Sequence, residues 1–189
     1  MHIFTVMVTG LAYLLYLVYD WCSVKKPGLR AARLLFPLGT ALIACATVLF
    51  LYQSLPAFRL TGFSALCLAL AAVSGWLLLD ALVFSLPKNT YTEPGAPRLT
   101  CRSRMYALCR HPGVLWYCCL YGALWLAMPT RNGALQCAVL CAGDLIYMLV
   151  QDIWTFPAIF ADYDHYKTAT PLLLPNRASI RACCRDYFH

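Results

Sequence analysis

Hydrophobic positions in this chain neither alternate nor recur on one helical face; they run on without interruption. Four apolar stretches cover 3–19, 34–52, 60–86 and 133–150, each near the ~20 residues that carry a helix across a bilayer. A shorter stretch, 112–128, is framed by Pro112 at a first helical position and by Met128-Pro129 at its close. The 60–86 stretch exceeds the hydrocarbon thickness, so it is expected to tilt or project. The pattern predicts an all-α integral membrane protein of about five transmembrane helices, with a cytoplasmic interfacial helix and tail at its C-terminal end. The first stretch has neither a basic leader nor a small-x-small cleavage site, and is expected to be retained as a span.

Polar positions gather in two places. Between the third and fourth spans, Lys88-Asn89-Thr90, Glu93-Pro94-Gly95 and Pro97 predict an irregular loop. A short basic segment, 99–110, follows at headgroup depth and delivers Cys109-Arg110-His111-Pro112-Gly113 to the start of the fourth span. After the fifth span, Pro157 is expected to kink or stop the helix. Phe160, Tyr163 and Tyr166 then recur every three residues and share a face in a helix, with Asp162, Asp164, His165 and Lys167 on the other. Such a face is an aromatic belt against headgroups, or a wall that stacks on a ring or a cation. The expected organisation is one membrane domain over 1–189, with three spans in 1–86 and a cofactor-binding part in 87–189.

Composition narrows the chemistry. With 61% hydrophobic residues, 12% charged residues and a mean hydropathy of +0.64, a water-soluble domain is excluded. A chain of 189 residues leaves no room for a separate soluble catalytic domain, so any active site is built from helix ends, loops and tail. Thirteen of the fifteen Lys and Arg residues fall on alternate connections and the tail, leaving only Arg59 and Arg131 on the other side. The positive-inside rule then predicts an N-terminus outside and a cytoplasmic C-terminus. The net charge of +7 follows from this topology and from attraction to anionic membrane lipid, with no call for nucleic acid. The eleven cysteines lie in spans or on the reducing side and include no CxxC pair, so neither disulfides nor a metal site is expected. Cys183-Cys184, between Arg181 and Arg185, is a candidate for acylation in a host that palmitoylates.

Three positions invite chemistry. The first N–H groups of the fourth span lack helical partners, and Arg110 and His111 add donors, so an anion is expected to fit there; the plain alternative is an interfacial helix start with a snorkelling arginine. Asp152, at the end of the fifth span, is the best-placed base, or else a partner for nearby cations. Asp144 sits midway through that span, where an ionisable side chain is costly, and Asp80 lies near the end of the third.

Two blocks resemble the membrane methyltransferases typified by isoprenylcysteine carboxyl methyltransferase and related to phospholipid methyltransferases. Arg110-His111-Pro112 is similar to that family's Arg-His-Pro motif. Phe160, Tyr163, Tyr166, Pro171 and Pro175 are similar in spacing to its closing aromatic and proline pattern. The resemblance covers roughly the last 80 residues. Val114 and Trp116 stand where the family has Tyr and Gly, Gln151-Asp152 where it has an acidic pair, and Ala161 where it has Gly.

The resemblance implies S-adenosylmethionine as cofactor, bound by Arg110, His111, Pro112, Tyr163, Tyr166, Pro171 and Pro175, with Asp152 and Arg110 as catalytic residues. The acceptor implied is a lipophilic small molecule or lipidated group whose carboxylate, thiol or amine attacks the sulfonium methyl in line at the cytoplasmic face. Alignment of this kind is worth up to roughly 7–11 kcal/mol. A carboxylate or thiolate acceptor needs no base; a protonated amine does, and Asp152 would supply it. Two other readings stay open: a membrane reductase using a nicotinamide cofactor, and a non-catalytic membrane accessory protein.

Overall fold

The computed structural model describes residues 2–26, 28–85 and 98–188. The loop expected around Lys88 to Pro97 lies outside them. Among the described residues every regular element is helical. Helix α1 is His2–Lys25. A 3-10 turn, Arg30–Leu34, leads into α2, Leu35–Ser54. Helix α3, Gly62–Leu79, widens into a π-helical turn at Asp80–Phe84. A single turn, α4, Met105–Leu108, precedes α5, Pro112–Ala127. Helix α6, Arg131–Val150, widens likewise at Gln151–Thr155 and continues as the short α7, Phe156–Ile159. Helices α8, Tyr163–Ala169, and α9, Arg177–Phe188, complete the chain.

Among the described residues, four helical stretches are long and apolar enough to cross a membrane: Ile3–Lys25, Arg30–Ala57, Gly62–Phe84 and Arg131–Ile159. The four fit a multi-pass membrane protein. The fifth expected span, α5, has 16 residues, about 24 Å of helix against a hydrocarbon core of ~30 Å.

Which side chains face inward supports lipid as the solvent. On α3 the buried face is Ser64, Cys67, Ala71 and Ser74, whereas Leu66, Leu70, Val73 and Trp76 face out. Small residues inside let helix backbones approach, and large apolar ones outside suit acyl chains. Helix α3 packs along α5, α1 along α2, and α6 against α1 and α5. Two glycines make room for rings: a methyl group at Gly143 would overlap Tyr13, and one at Gly39 would stand 2.8 Å from Tyr16.

The helices start where their sequence supplies a cap. Thr61 accepts from Ser64 N–H at 3.1 Å, and Ser64 accepts from Thr61 N–H at 2.8 Å, a reciprocal box that opens α3. Thr130 accepts from Gly133 N–H at 2.9 Å to open α6. Pro157 has no N–H to give to the turn before it, and there the helix widens, Phe156 N–H donating to Gln151 O. The helix stops three residues later at Phe160, whose backbone is extended. The ends of α1, α3 and α6 and the start of α5 therefore meet at one end of the bundle, as the contacts Asp20–Thr155, Asp80–Arg104 and Asp152–His111 require.

Candidate functional site

The segment before α5 does not stand apart from the bundle. Met105, Ala107 and Cys109 turn inward and are buried. The segment is clasped to the end of α6 instead: Ala161 N–H donates to Arg98 O at 3.0 Å, and Asp162 accepts from Thr100 N–H and Oγ1, both at 2.8 Å, and from Arg102 at 2.6 Å. Burial raises the Asp162 carboxyl, but these donors from Thr100 and Arg102 outweigh it and hold its pKa below the ordinary value. Cys109 is buried, which pushes its thiol up to about 12 and keeps it protonated at neutral pH.

Arg110 and His111 then meet two chain segments at once. Their backbone N–H groups donate to Pro171 O at 2.9 Å and Leu172 O at 3.3 Å, so the tail folds back across the start of α5. Their side chains turn to Asp152, which the π-helical turn aims inward. Asp152 Oδ1 accepts from Tyr163 OH at 2.7 Å, lies 3.3 Å from His111 Nε2 and 3.3 Å from Arg110 Nη1, and Lys167 Nζ approaches Oδ2 at 3.9 Å. The His111 ring stacks on Phe156 at 5.5 Å, with 7° between planes. Burial is the largest influence on His111 and lowers its pKa against the opposing pull of Asp152. The imidazole is accordingly neutral at pH 7, and Nε2–H donates to the carboxylate.

One feature of this group is unbalanced. The Arg110 side chain is 10% exposed, yet its Nε and Nη1 have no hydrogen-bond partner among the described residues, because Nη1 faces Asp152 without the alignment of a hydrogen bond. Two cations, Arg110 and Lys167, stand against one carboxylate. The anion expected beside Arg110 and His111 thus meets a resident one, Asp152, and a surplus positive charge remains.

The sequence-predicted residues separate clearly. Arg110, His111, Pro112, Asp152 and Tyr163 come together, and Pro171 joins through its carbonyl. Tyr166 is adjacent, its ring against Tyr163 at 6.0 Å and its hydroxyl donating to Tyr106 O at 2.7 Å. The two rings are 2% and 3% exposed, and the cations over them are the chain's own, Lys167 on Tyr163 at 5.3 Å and Arg102 on Tyr166 at 5.8 Å. Pro175 stands instead at the entry to α9, before Asn176, whose side chain accepts from Ser179 N–H at 2.9 Å. Phe160 precedes α8 rather than sharing its face. Asp144 lies about two turns deeper on α6 and is not part of the Asp152 group. Asp80 belongs to a separate cluster with Arg104 and Tyr187 that fastens α9 to the end of α3.

Lys167 and Phe156 were not legible as site residues in the sequence. The signal for Lys167 was its place four residues after Tyr163, on the same helical face; a period of three assigned it to the opposite one. Comparison with protein-family models, curated proteins and solved structures finds no match for this chain.

Proposed function

We propose that this chain is a membrane methyltransferase that takes S-adenosylmethionine at the Arg110 group and acts on a lipophilic acceptor at the membrane surface. In this reading five helices cross the membrane, α5 with local thinning or with help from its flanks, and the basic end of the bundle is cytoplasmic, with the N-terminus outside. The observation that carries the proposal is the buried guanidinium of Arg110, whose Nε has no hydrogen-bond partner among the described residues and whose Nη1 meets Asp152 as an ion pair only, at a helix start roofed by a folded-back tail. Bound there, S-adenosylmethionine would supply an electrophilic methyl group. Arg110 would take its carboxylate in a charge-assisted hydrogen bond, with Lys167 adding positive potential. The neutral imidazole of His111 is fixed by Asp152 on its edge and Phe156 on its face. The 170–175 tail keeps water from the site.

Asp152 has its oxygens engaged by Tyr163, His111, Arg110 and Lys167, so it holds the group in place rather than receiving a proton. That favours an acceptor that arrives ionised, a carboxylate or a thiolate, over a protonated amine. Purified protein titrated with S-adenosylhomocysteine, and separately with NADPH, tests the reading. Saturable binding of the first and none of the second is expected; the reverse would replace the methyltransferase with a reductase.

A further inference from the structure

Asp144 stands in the middle of the Arg131–Ile159 stretch, about 12 Å of helix from Asp152. Helical phase puts it on one face with Leu140, Tyr147 and Met148, all of them buried. Asp144 itself is only half-buried, so room is left beside it at a level where its neighbours are packed shut. Its carboxyl has no hydrogen bond and no ion pair among the described residues. Residues 3–24, 35–54, 112–127 and 132–150, the stretches packed around it, contain no Lys, Arg or His. A carboxylate at this depth is costly unless a cation compensates it, and these stretches supply none.

They supply oxygens instead. The groups within electrostatic reach of Asp144 are the phenols of Tyr13, Tyr16, Tyr117 and Tyr121. Tyr13 OH donates to Leu140 O at 2.9 Å, one helical turn from Asp144, and lies 3.1 Å from Tyr117 OH; Gly143 leaves the space that lets the Tyr13 ring reach this level. The hydroxyls of Tyr16 and Tyr121 are paired with Thr40 and Thr47. The ring faces are taken as well, Tyr16 stacking on Tyr147 at 5.2 Å and Tyr117 tilting against Tyr121 at 4.6 Å. A carboxylate with phenolic and carbonyl oxygens is the ligand set of a hard metal cation, whereas an organic ammonium is held by open aromatic faces. One carboxylate balances one positive charge, which sets the valence.

We propose that Asp144, with the hydroxyls of Tyr13 and Tyr117, binds a small monovalent metal cation inside the membrane. The ion would neutralise the carboxylate and draw on oxygens from α1, α5 and α6, so that its binding ties the three helices together. The site is separate from the Arg110 group and needs no cofactor.

The test is binding of radioactive sodium to the full chain in detergent, read by scintillation proximity at mildly alkaline pH, where protons compete least. Wild type is expected to bind sodium saturably, displaced by unlabelled sodium and not by tetramethylammonium. Asp144→Asn, which keeps the shape and removes the charge, should weaken binding by about tenfold or more. Asp80→Asn, which removes a carboxylate paired with Arg104 at the end of α3, should change it less than about twofold. Tyr117→Phe, expected to cost about two- to tenfold, carries the test if Asp144→Asn does not fold. No saturable binding by wild type would overturn the proposal and leave Asp144 a carboxyl that keeps its own proton. Undiminished binding by Asp144→Asn or by Tyr117→Phe, or equal losses in the Asp144 and Asp80 variants, would overturn it too. Displacement by tetramethylammonium as effective as that by sodium would overturn the metal assignment in favour of an organic cation. Affinity for S-adenosylhomocysteine should be the same with and without sodium, so the two sites fail or stand separately.

Discussion

Asp20 and Asp152 reach the same end of the bundle, and both are buried, at 3% and 7% exposure, yet their surroundings are opposite. Asp20 accepts from Tyr147 at 3.2 Å and Thr155 at 3.1 Å, with Gln151 bonded to Tyr147 at 2.8 Å; its donors are neutral, and it forms no ion pair among the described residues. Asp152, on the adjoining turn of α6, is faced by Arg110 and Lys167 as well as Tyr163 and His111. The Asp20 cluster ties α1 to α6 and asks for nothing more. The Asp152 cluster sets two cations, buried Arg110 and part-exposed Lys167, against one carboxylate, an excess that the proposed function assigns to a bound anion.

The widest separation between the two should appear when each carboxylate is replaced by its amide. Asp152→Asn leaves Arg110 buried beside no anion, and a loss of about 3–5 kcal/mol in stability is expected. Asp20→Asn keeps an oxygen acceptor for neutral donors and should cost about 1–3 kcal/mol. Denaturation of both variants in the same detergent measures this. Equal losses would mean that the cations around Asp152 contribute nothing that hydroxyl donors do not.

A finer version removes single hydroxyls. Tyr163 donates to the Asp152 carboxylate and Tyr166 to a backbone carbonyl, so Tyr163→Phe should cost about 1.5–3 kcal/mol and Tyr166→Phe about 0.5–1.5 kcal/mol. Reversal of that order would move the strong acceptor from Asp152 to the Tyr106 carbonyl.

The smallest effect concerns pH. His111 is held below its ordinary value of 6.5 by burial, so between that value and its folded one the unfolded chain binds more protons. Its contribution to stability is complete above pH 6.5 and is lost as pH falls through the folded value. His111→Gln should flatten the acid side of a stability-against-pH curve. A wild type that gains stability on acidification would show that His111 takes up its proton in the folded state, as an imidazolium paired with Asp152.

Much of the fold is visible in hydropathy because lipid demands long apolar runs: the 60–86 stretch became Gly62–Phe84, and 3–19 became part of His2–Lys25. The Asp152–His111 contact joins residues 41 positions apart, and no local pattern records it. The motif residues Arg110, His111, Tyr163 and Asp152 were each conspicuous by type, but their order around a single carboxylate was not. By charge alone the tail is a run of cytoplasmic cations, although Arg177, Arg181 and Arg185 recur every four residues, the spacing of one face of a helix. It forms α9, which docks through Asp186 on Arg104 N–H at 3.0 Å and through Tyr187 on Asp80. Arg104 adopts a left-handed backbone, φ 56°, to receive it, a strain that only the assembled structure reveals.

The most direct test of the account is the affinity of purified wild type and Arg110→Gln for S-adenosylhomocysteine and for its decarboxylated analogue. A charge-assisted hydrogen bond contributes about 1.5–3 kcal/mol, so the wild type should prefer the intact compound by roughly 10- to 150-fold, and Arg110→Gln should lose most of that preference while remaining folded. A wild type that binds both compounds equally, or a variant that keeps the full preference, would contradict the assignment of the surplus charge at Arg110 to the cofactor carboxylate.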